Sequence, residues 1–296
     1  MKKINKLKEG QKIILIFCLF VVKVMYAQPN CNYYKLSGNQ KKYEACKEAE
    51  KREGHYQFSY EYQKALEDAL AIDSSFSYAY SARSTAYLKS GDFVTWMELM
   101  NKAVEYAPAD HLDYRGWCRF QFFRDYEGAI EDILRLKKLN KNHIGFSVNG
   151  DYHLDVALAL CYKATDRTDE AIIIMENKME DSLFMTGLYD HLHLGVMYLE
   201  KGDYQKALEQ CKLQENKNDL AENRFYVAII YRFLGDEDSY AHHLNLAKQY
   251  YVSGKKMFDP YTEHIDKIFL KDITEEENAG FLQKASGTKG YVLRRQ

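Results

Sequence analysis

The sequence predicts an all-helical fold in which short helix hairpins stack side by side. Three observations point there. The 296 residues contain only 3 prolines and 16 glycines beside 28% charged residues, too few turn signals for an all-β sandwich. Apolar side chains recur at helical spacing on short segments. A Gly-Asp pair recurs between such segments, at Gly91-Asp92, Gly202-Asp203 and Gly235-Asp236, the last two 33 residues apart. Mean hydropathy is −0.52 despite 46% hydrophobic residues, which excludes a polytopic membrane protein, and the 25 tyrosines give core material with a polar handle.

Residues 1–27 read as a removable export signal. Five lysines and one acid in the first twelve residues precede the apolar run from Ile13 to Val22, and a small residue, Ala27, stands before a polar stretch. Ten apolar residues reach about 15 Å as a helix, roughly half the hydrocarbon core of a bilayer, which disfavours a permanent anchor. Cleavage is expected after Ala27, giving an exported, periplasmic or secreted chain. Neither Cys18 nor Cys31 follows the small residues a lipid anchor requires. Removal of the leader would leave 35 basic against 42 acidic residues, a net charge of −7, which argues against nucleic acid as a partner.

Of the remaining cysteines, Cys31 and Cys46 are the only close pair, and separate places on one helix are favoured over a bridge between them. Cys118, Cys161 and Cys211 read as small apolar core residues.

From Leu188 to Lys212 the chain places Leu194-Gly195, Tyr198, Gly202-Asp203-Tyr204, Ala207 and Cys211 at fixed offsets. This pattern resembles the tetratricopeptide repeat. The next window repeats it with Val227-Ala228, Tyr231, Gly235-Asp236, Leu244 and Ala247. Upstream, Tyr80, Tyr87, Gly91-Asp92-Phe93, Met100, Ala103 and Pro108 agree. Leu158-Ala159, Tyr162 and Ala171 form a degenerate copy with Asp166-Arg167 at the turn. Residues 112–137 form another, in which Arg115-Gly116 replaces the Leu-Gly pair and the register is ambiguous by one residue. A first pair over 40–52 and 58–72 keeps only the helical rhythm. Five repeats and a sixth weaker one thus cover residues 40–252, within a repeat domain taken as 28–252.

The physical content of the offsets stands without the family. Gly202 can end one helix in the left-handed conformation while Asp203 caps the next. Gly195, Ala159 and Ala228 let the facing helix approach closely. No hairpin hides both of its faces, so the resemblance and the packing together predict an α-α superhelix, an α-solenoid with a convex outside of second helices and a concave groove lined by first helices.

Two stretches break the repeat. Residues 139–151 read as a loop separating two halves of the stack and projecting toward the groove. Beyond residue 252, Asp259-Pro260 is expected to open a short helix, and Thr274 to Glu277 resembles a capping box for a second. The pair, over 253–286, would shield the last repeat, and 287–296 form a basic tail.

No phosphate loop, nucleophile elbow or HExxH motif occurs, so no enzyme, cofactor or metal site is expected. His191 and His193 are two apart and His242 and His243 are adjacent, so neither pair chelates from one helical face. The tyrosines at 80, 87, 162, 198 and 231 read as core packing.

The resemblance implies a protein-interaction scaffold whose groove residues lie at set places of each first helix. Here these are Tyr78, Ser81 and Thr85, then His153 and Lys163, then Tyr189, Leu192 and Val196, and finally Phe225, Ile229 and Arg232. The Lys and Asn pattern of carboxylate-clamping members is absent. A peptide or helix of a cell-envelope protein is the expected ligand. Two alternatives remain at this point: a glycan or small molecule stacked on tyrosine rings, or cover of these side chains by the neighbouring hairpin or the C-terminal helices.

Overall fold

The computed structural model describes residues 29–281. The leader, its cleavage point and the basic tail lie outside the described residues. The described chain divides into two compact units at Tyr106/Ala107, which are taken one at a time.

The first unit contains α1 (Cys31–Leu36), α2 (Gln40–Glu50), α3 (Tyr60–Ile72), α4 (Ser77–Ser90) and α5 (Phe93–Tyr106). Polar residues start its helices: the Asn39 side chain accepts from Lys42 N at 3.1 Å and the Ser59 hydroxyl from Tyr62 N at 3.2 Å. Helices α2 and α3 form one hairpin, and α4 and α5 the next. The core joins Cys31, Cys46, Leu66, Ala69, Phe76 and Ala79. Against the sequence expectation, Cys31 and Cys46 form a disulfide with Cα atoms 5.5 Å apart. It fastens the six-residue α1, too short to hold itself, to α2.

The second unit contains α6 (Pro108–Cys118), α7 (Tyr126–Leu139), α8 (Leu154–Ala164), α9 (Thr168–Met179), α10 (Asp190–Lys201), α11 (Tyr204–Asn218), α12 (Ala221–Leu234), α13 (Glu237–Val252) and α14 (Leu270–Ala279). Helices α6 to α13 pair as four consecutive hairpins. Each first helix also packs on the next first helix, α6 on α8, α8 on α10 and α10 on α12, which makes one continuous inner wall.

The turns form as the Gly-Asp pairs require. Gly91, Gly202 and Gly235 have φ of 82°, 79° and 79°, and Asp92, Asp203 and Asp236 accept from the backbone N–H three residues on at 3.0–3.1 Å. The degenerate copy manages the same bend with Asp166 at φ 65°. A Cβ on Gly195 would stand 3.2 Å from Cys211 Sγ, so the close approach of α10 and α11 needs glycine there. The one-residue ambiguity after Gly116 has a physical cause: α6 runs into a π-helical turn, Arg119–Phe123, which absorbs an extra residue before Arg124 turns left-handed at φ 54°. Cys118, Cys161 and Cys211 are buried free thiols, and burial pushes Cys211 up to about 12.

Three further expectations need correction. The loop over 139–151 does not separate the halves, because α7 packs directly on α8; the division falls at the start of α6. Asp259-Pro260 opens no helix: residues 253–269 run as an irregular strap. Among the described residues one helix, α14, stands where a pair was expected. Its start is set by Asp272, whose carboxylate accepts from Phe269 N at 2.7 Å, while Thr274 lies inside it and donates back to Leu270 O.

Candidate functional site

The strap takes its position from the inner wall of the second unit. Leaving α13 at the Gly254 turn, it follows the first helices from α12 back toward the end of α6. At its entry Ala221 N donates to Lys255 O at 2.9 Å, and Met257 N donates to Glu222 Oε2 at 3.0 Å. Farther along, Gln121 Nε2 donates to Thr262 Oγ1 at 2.6 Å, and Arg124 donates to Glu263 O. A segment with no ladder of its own must satisfy its backbone elsewhere, and here the wall supplies the partners.

Asp266 is the centre of the contact. It sits at φ 64°, a conformation aspartate tolerates, and its carboxylate meets Lys163 Nζ and, at 2.8 Å, His193 Nδ1. Tyr226 Oη donates to Asp266 O at 3.0 Å, and Lys163 also faces Glu200 at 3.3 Å. Burial opposes the charge on Asp266, but Lys163 and His193 outweigh it and hold the carboxyl below its ordinary range. Burial likewise opposes the Lys163 ammonium, and Asp266 and Glu200 reverse the balance, so its pKa is raised.

Hydrogen bonds link this centre to a second histidine through a tyrosine. His264 Nε2 lies 3.3 Å from Phe258 O, and a carbonyl only accepts, so this nitrogen carries hydrogen and His264 Nδ1 is free to accept. Tyr152 Oη bridges the two rings, 3.0 Å from His264 Nδ1 and 3.1 Å from His193 Nε2. His193 Nδ1 faces the Asp266 carboxylate, which only accepts, so this nitrogen carries hydrogen. Burial lowers the pKa of the His264 ring. The Lys163 ammonium thus lies between two carboxylates, Asp266 and Glu200.

Beyond the strap, Arg232 pairs with the buried Glu276 of α14, and Tyr240 Oη donates to the same carboxylate at 3.1 Å. A cavity of about 280 Å³ remains beside the strap, between Leu188, Tyr189, Phe258 and His264.

The residues expected to line an open groove therefore divide. In the second unit His153, Lys163, Leu192, Val196, Phe225, Ile229 and Arg232 are buried, and Tyr189 is half-buried with its ring 5.0 Å from His264. These side chains are not open surface; the cover weighed as an alternative is present, and the strap with α14 supplies its polar part. In the first unit Tyr78, Ser81 and Thr85 on α4 are half-buried and Lys89 is exposed. Tyr78 bonds Arg52, and burial lifts its hydroxyl to about 12.

Sequence reasoning missed Tyr152, His193, Tyr226 and Asp266. His193 and Tyr226 lie one residue beside groove places, and Asp266 belongs to a stretch without any repeat. The single available signal was chemical: polar side chains standing at core positions of otherwise apolar helices.

Two solved structures at a TM-score of 0.50 agree with this fold. No family model matches the chain. Over 94 residues it is 29% identical to ethylene-overproduction protein 1 of Arabidopsis thaliana, a stretch that is 31% of this chain and spans only a tenth of that relative. The solved structure of Pseudomonas aeruginosa PilF is similar at a TM-score of 0.50 and 15% identity, covering 75% of this chain and 89% of that one. PilW, described as a widely conserved type IV pilus biogenesis factor, is similar at 0.50 and 12%, covering 75% and 90%. A tetratricopeptide repeat protein from Parabacteroides merdae covers 84% of this chain and 90% of its own at 14% identity and a TM-score of 0.41.

Proposed function

From the tetratricopeptide-type α-solenoid fold that the chain shares with these neighbours, we propose an exported, non-enzymatic protein-interaction scaffold whose first-helix faces receive a peptide of a cell-envelope protein. One observation carries the reading: the inner wall of the second unit already holds a non-helical stretch of polypeptide, gripping its backbone and one acidic side chain. A surface that seats a peptide of its own chain has the chemistry to seat another's. The equivalent face of α4, around Ser81, Thr85 and Lys89, is only half-buried to exposed.

Export is supported by the basic and apolar leader and by the Cys31–Cys46 disulfide, since such bonds persist in oxidising compartments. Among the described residues no helix is long and apolar enough to cross a membrane.

The test is capture of the full chain from its native envelope with lysine crosslinking and mass spectrometry. A partner recovered in constant ratio, crosslinked at Lys89 or along the strap, supports the scaffold. Capture without a reproducible protein, or crosslinks confined to the second helices, overturns it. A mature chain that keeps its leader in fractionated cells would overturn the export signal, and a processed N-terminus other than Gln28 would move the cleavage point.

A further inference from the structure

Three features of the strap are unlike those of a permanent core element. First, residues 255–269 adopt neither helix nor strand, and wall side chains take the place of a backbone ladder. Second, the wall holds the strap largely by its backbone. Glu222, fully buried at the start of α12, accepts from Met257 N, and Tyr226 Oη donates to Asp266 O. Backbone groups are common to every polypeptide, so these contacts are open to another chain as much as to the strap. Third, the cavity beside Tyr189, Phe258 and His264 leaves part of the wall unfilled, while Phe258 and Tyr261 of the strap are 70% and 83% exposed. An incoming chain has a foothold there before the strap has left.

We propose that residues 255–269 are a tethered peptide ligand, and that the second unit's inner wall accepts in their place an extended partner peptide presenting a carboxylate to Lys163 and His193. The occupant's chemistry follows from the charges on the wall. With Asp266 withdrawn, the buried Lys163 ammonium loses its nearest carboxylate and His193 Nδ1–H loses its acceptor, and a buried cation beside a buried donor demands an anionic group in return. A neutral or basic peptide would leave that demand unmet. Tethering sets the competition: the strap acts at a high effective concentration, so an external peptide must bind more tightly or be linked to a second contact. Met257 and Ile268, both buried on the strap, set the apolar places that flank the carboxylate.

This inference rests on the scaffold reading, and its test separates the two. A site-specific protease sequence inserted between Ser253 and Gly254, in the exposed turn after α13, allows the tether to be cut in the folded full chain. A fluorescent synthetic peptide of residues 255–281 is the probe. The expected result is saturable binding to the cut chain and none to the intact chain, with an Asp266→Asn peptide binding about tenfold more weakly. In a second arm without insertion, the intact Asp266→Asn chain should bind the wild-type peptide that the intact wild-type chain refuses. Retention of the original strap against a large excess of probe, unfolding on cutting, or equal binding of the Asp266→Asn peptide each overturn the proposal, as does a folded Asp266→Asn chain that binds no probe. A strap that never exchanges leaves the scaffold reading to be decided at α4 by partner capture.

Discussion

The first helices α4 and α10 occupy equivalent places in their hairpins, yet one offers an accessible face and the other is sealed. On α4, Ser81 and Thr85 are half-buried, whereas on α10 the corresponding Leu192 and Val196 are buried. The hairpins themselves are built alike, each ending its first helix on a left-handed glycine and starting the second on a capping aspartate. What differs is the company: α10 meets the returning strap, anchored by Asp266, and the described first unit has no such segment of its own. Repeat register decides which side chains face inward; it does not decide whether anything lies on top of them.

The largest expected effect that probes this contrast is at the anchor. Asp266→Ala strands Lys163 and His193 in the interior and should destabilise the second unit by about 3–5 kcal/mol in denaturant unfolding. A loss near zero would mean that the wall is not sealed by this contact. Thr85→Ala on the accessible α4 face should change stability by no more than about 0.5 kcal/mol, so the two substitutions bracket the comparison.

Reduction of Cys31–Cys46 acts on the first unit alone. A closed loop of 15 residues corresponds to about 3 kcal/mol in the chain-entropy treatment. Hydrogen exchange should therefore accelerate in α1 and α2 on adding reductant, with the amides of α10 and α12 unchanged. Exchange that quickened equally in both units would remove the distinction.

Gly195→Leu sharpens the likeness of the hairpins. The added side chain meets Cys211 Sγ and Ala207 O, and should destabilise by about 1–3 kcal/mol, read as a fall in Tm.

The smallest effect is on pH. Burial lowers the pKa of His264 and of His153, so below the ordinary histidine range the unfolded chain takes up protons that the folded chain refuses. Stability supplied by these neutral rings is complete above about pH 6.5 and is lost as pH falls toward their folded values. The Tm should drop between pH 7 and pH 5, and His264→Gln should flatten that slope, measured by thermal melts in matched buffers. A Tm that rises on acidification contradicts the assignment of His264 as neutral.

The hairpins were legible because their causes are local. Helical apolar spacing, a glycine able to take positive φ and an aspartate able to cap require only neighbours in sequence, and the structure places them as expected at Gly91, Gly202 and Gly235. The ambiguous copy was unreadable for an equally local reason, since a π-helical turn shifts the phase that a period count relies on. The candidate site was legible only in its wall. Lys163, Tyr189 and Arg232 were named as inward-facing, but nothing in the spacing of residues 253–269 announces an irregular segment or what it lies against.

Sequence alone determined the repeat, its turns and the inward register, because each follows from interactions within a few turns of helix. Tertiary structure decided that Cys31 meets Cys46, that the chain divides before α6, and that Asp266 lies between Lys163 and His193. That last pairing spans 103 residues. It is chosen by the charge balance of a buried site, and such a balance exists only once the wall has assembled.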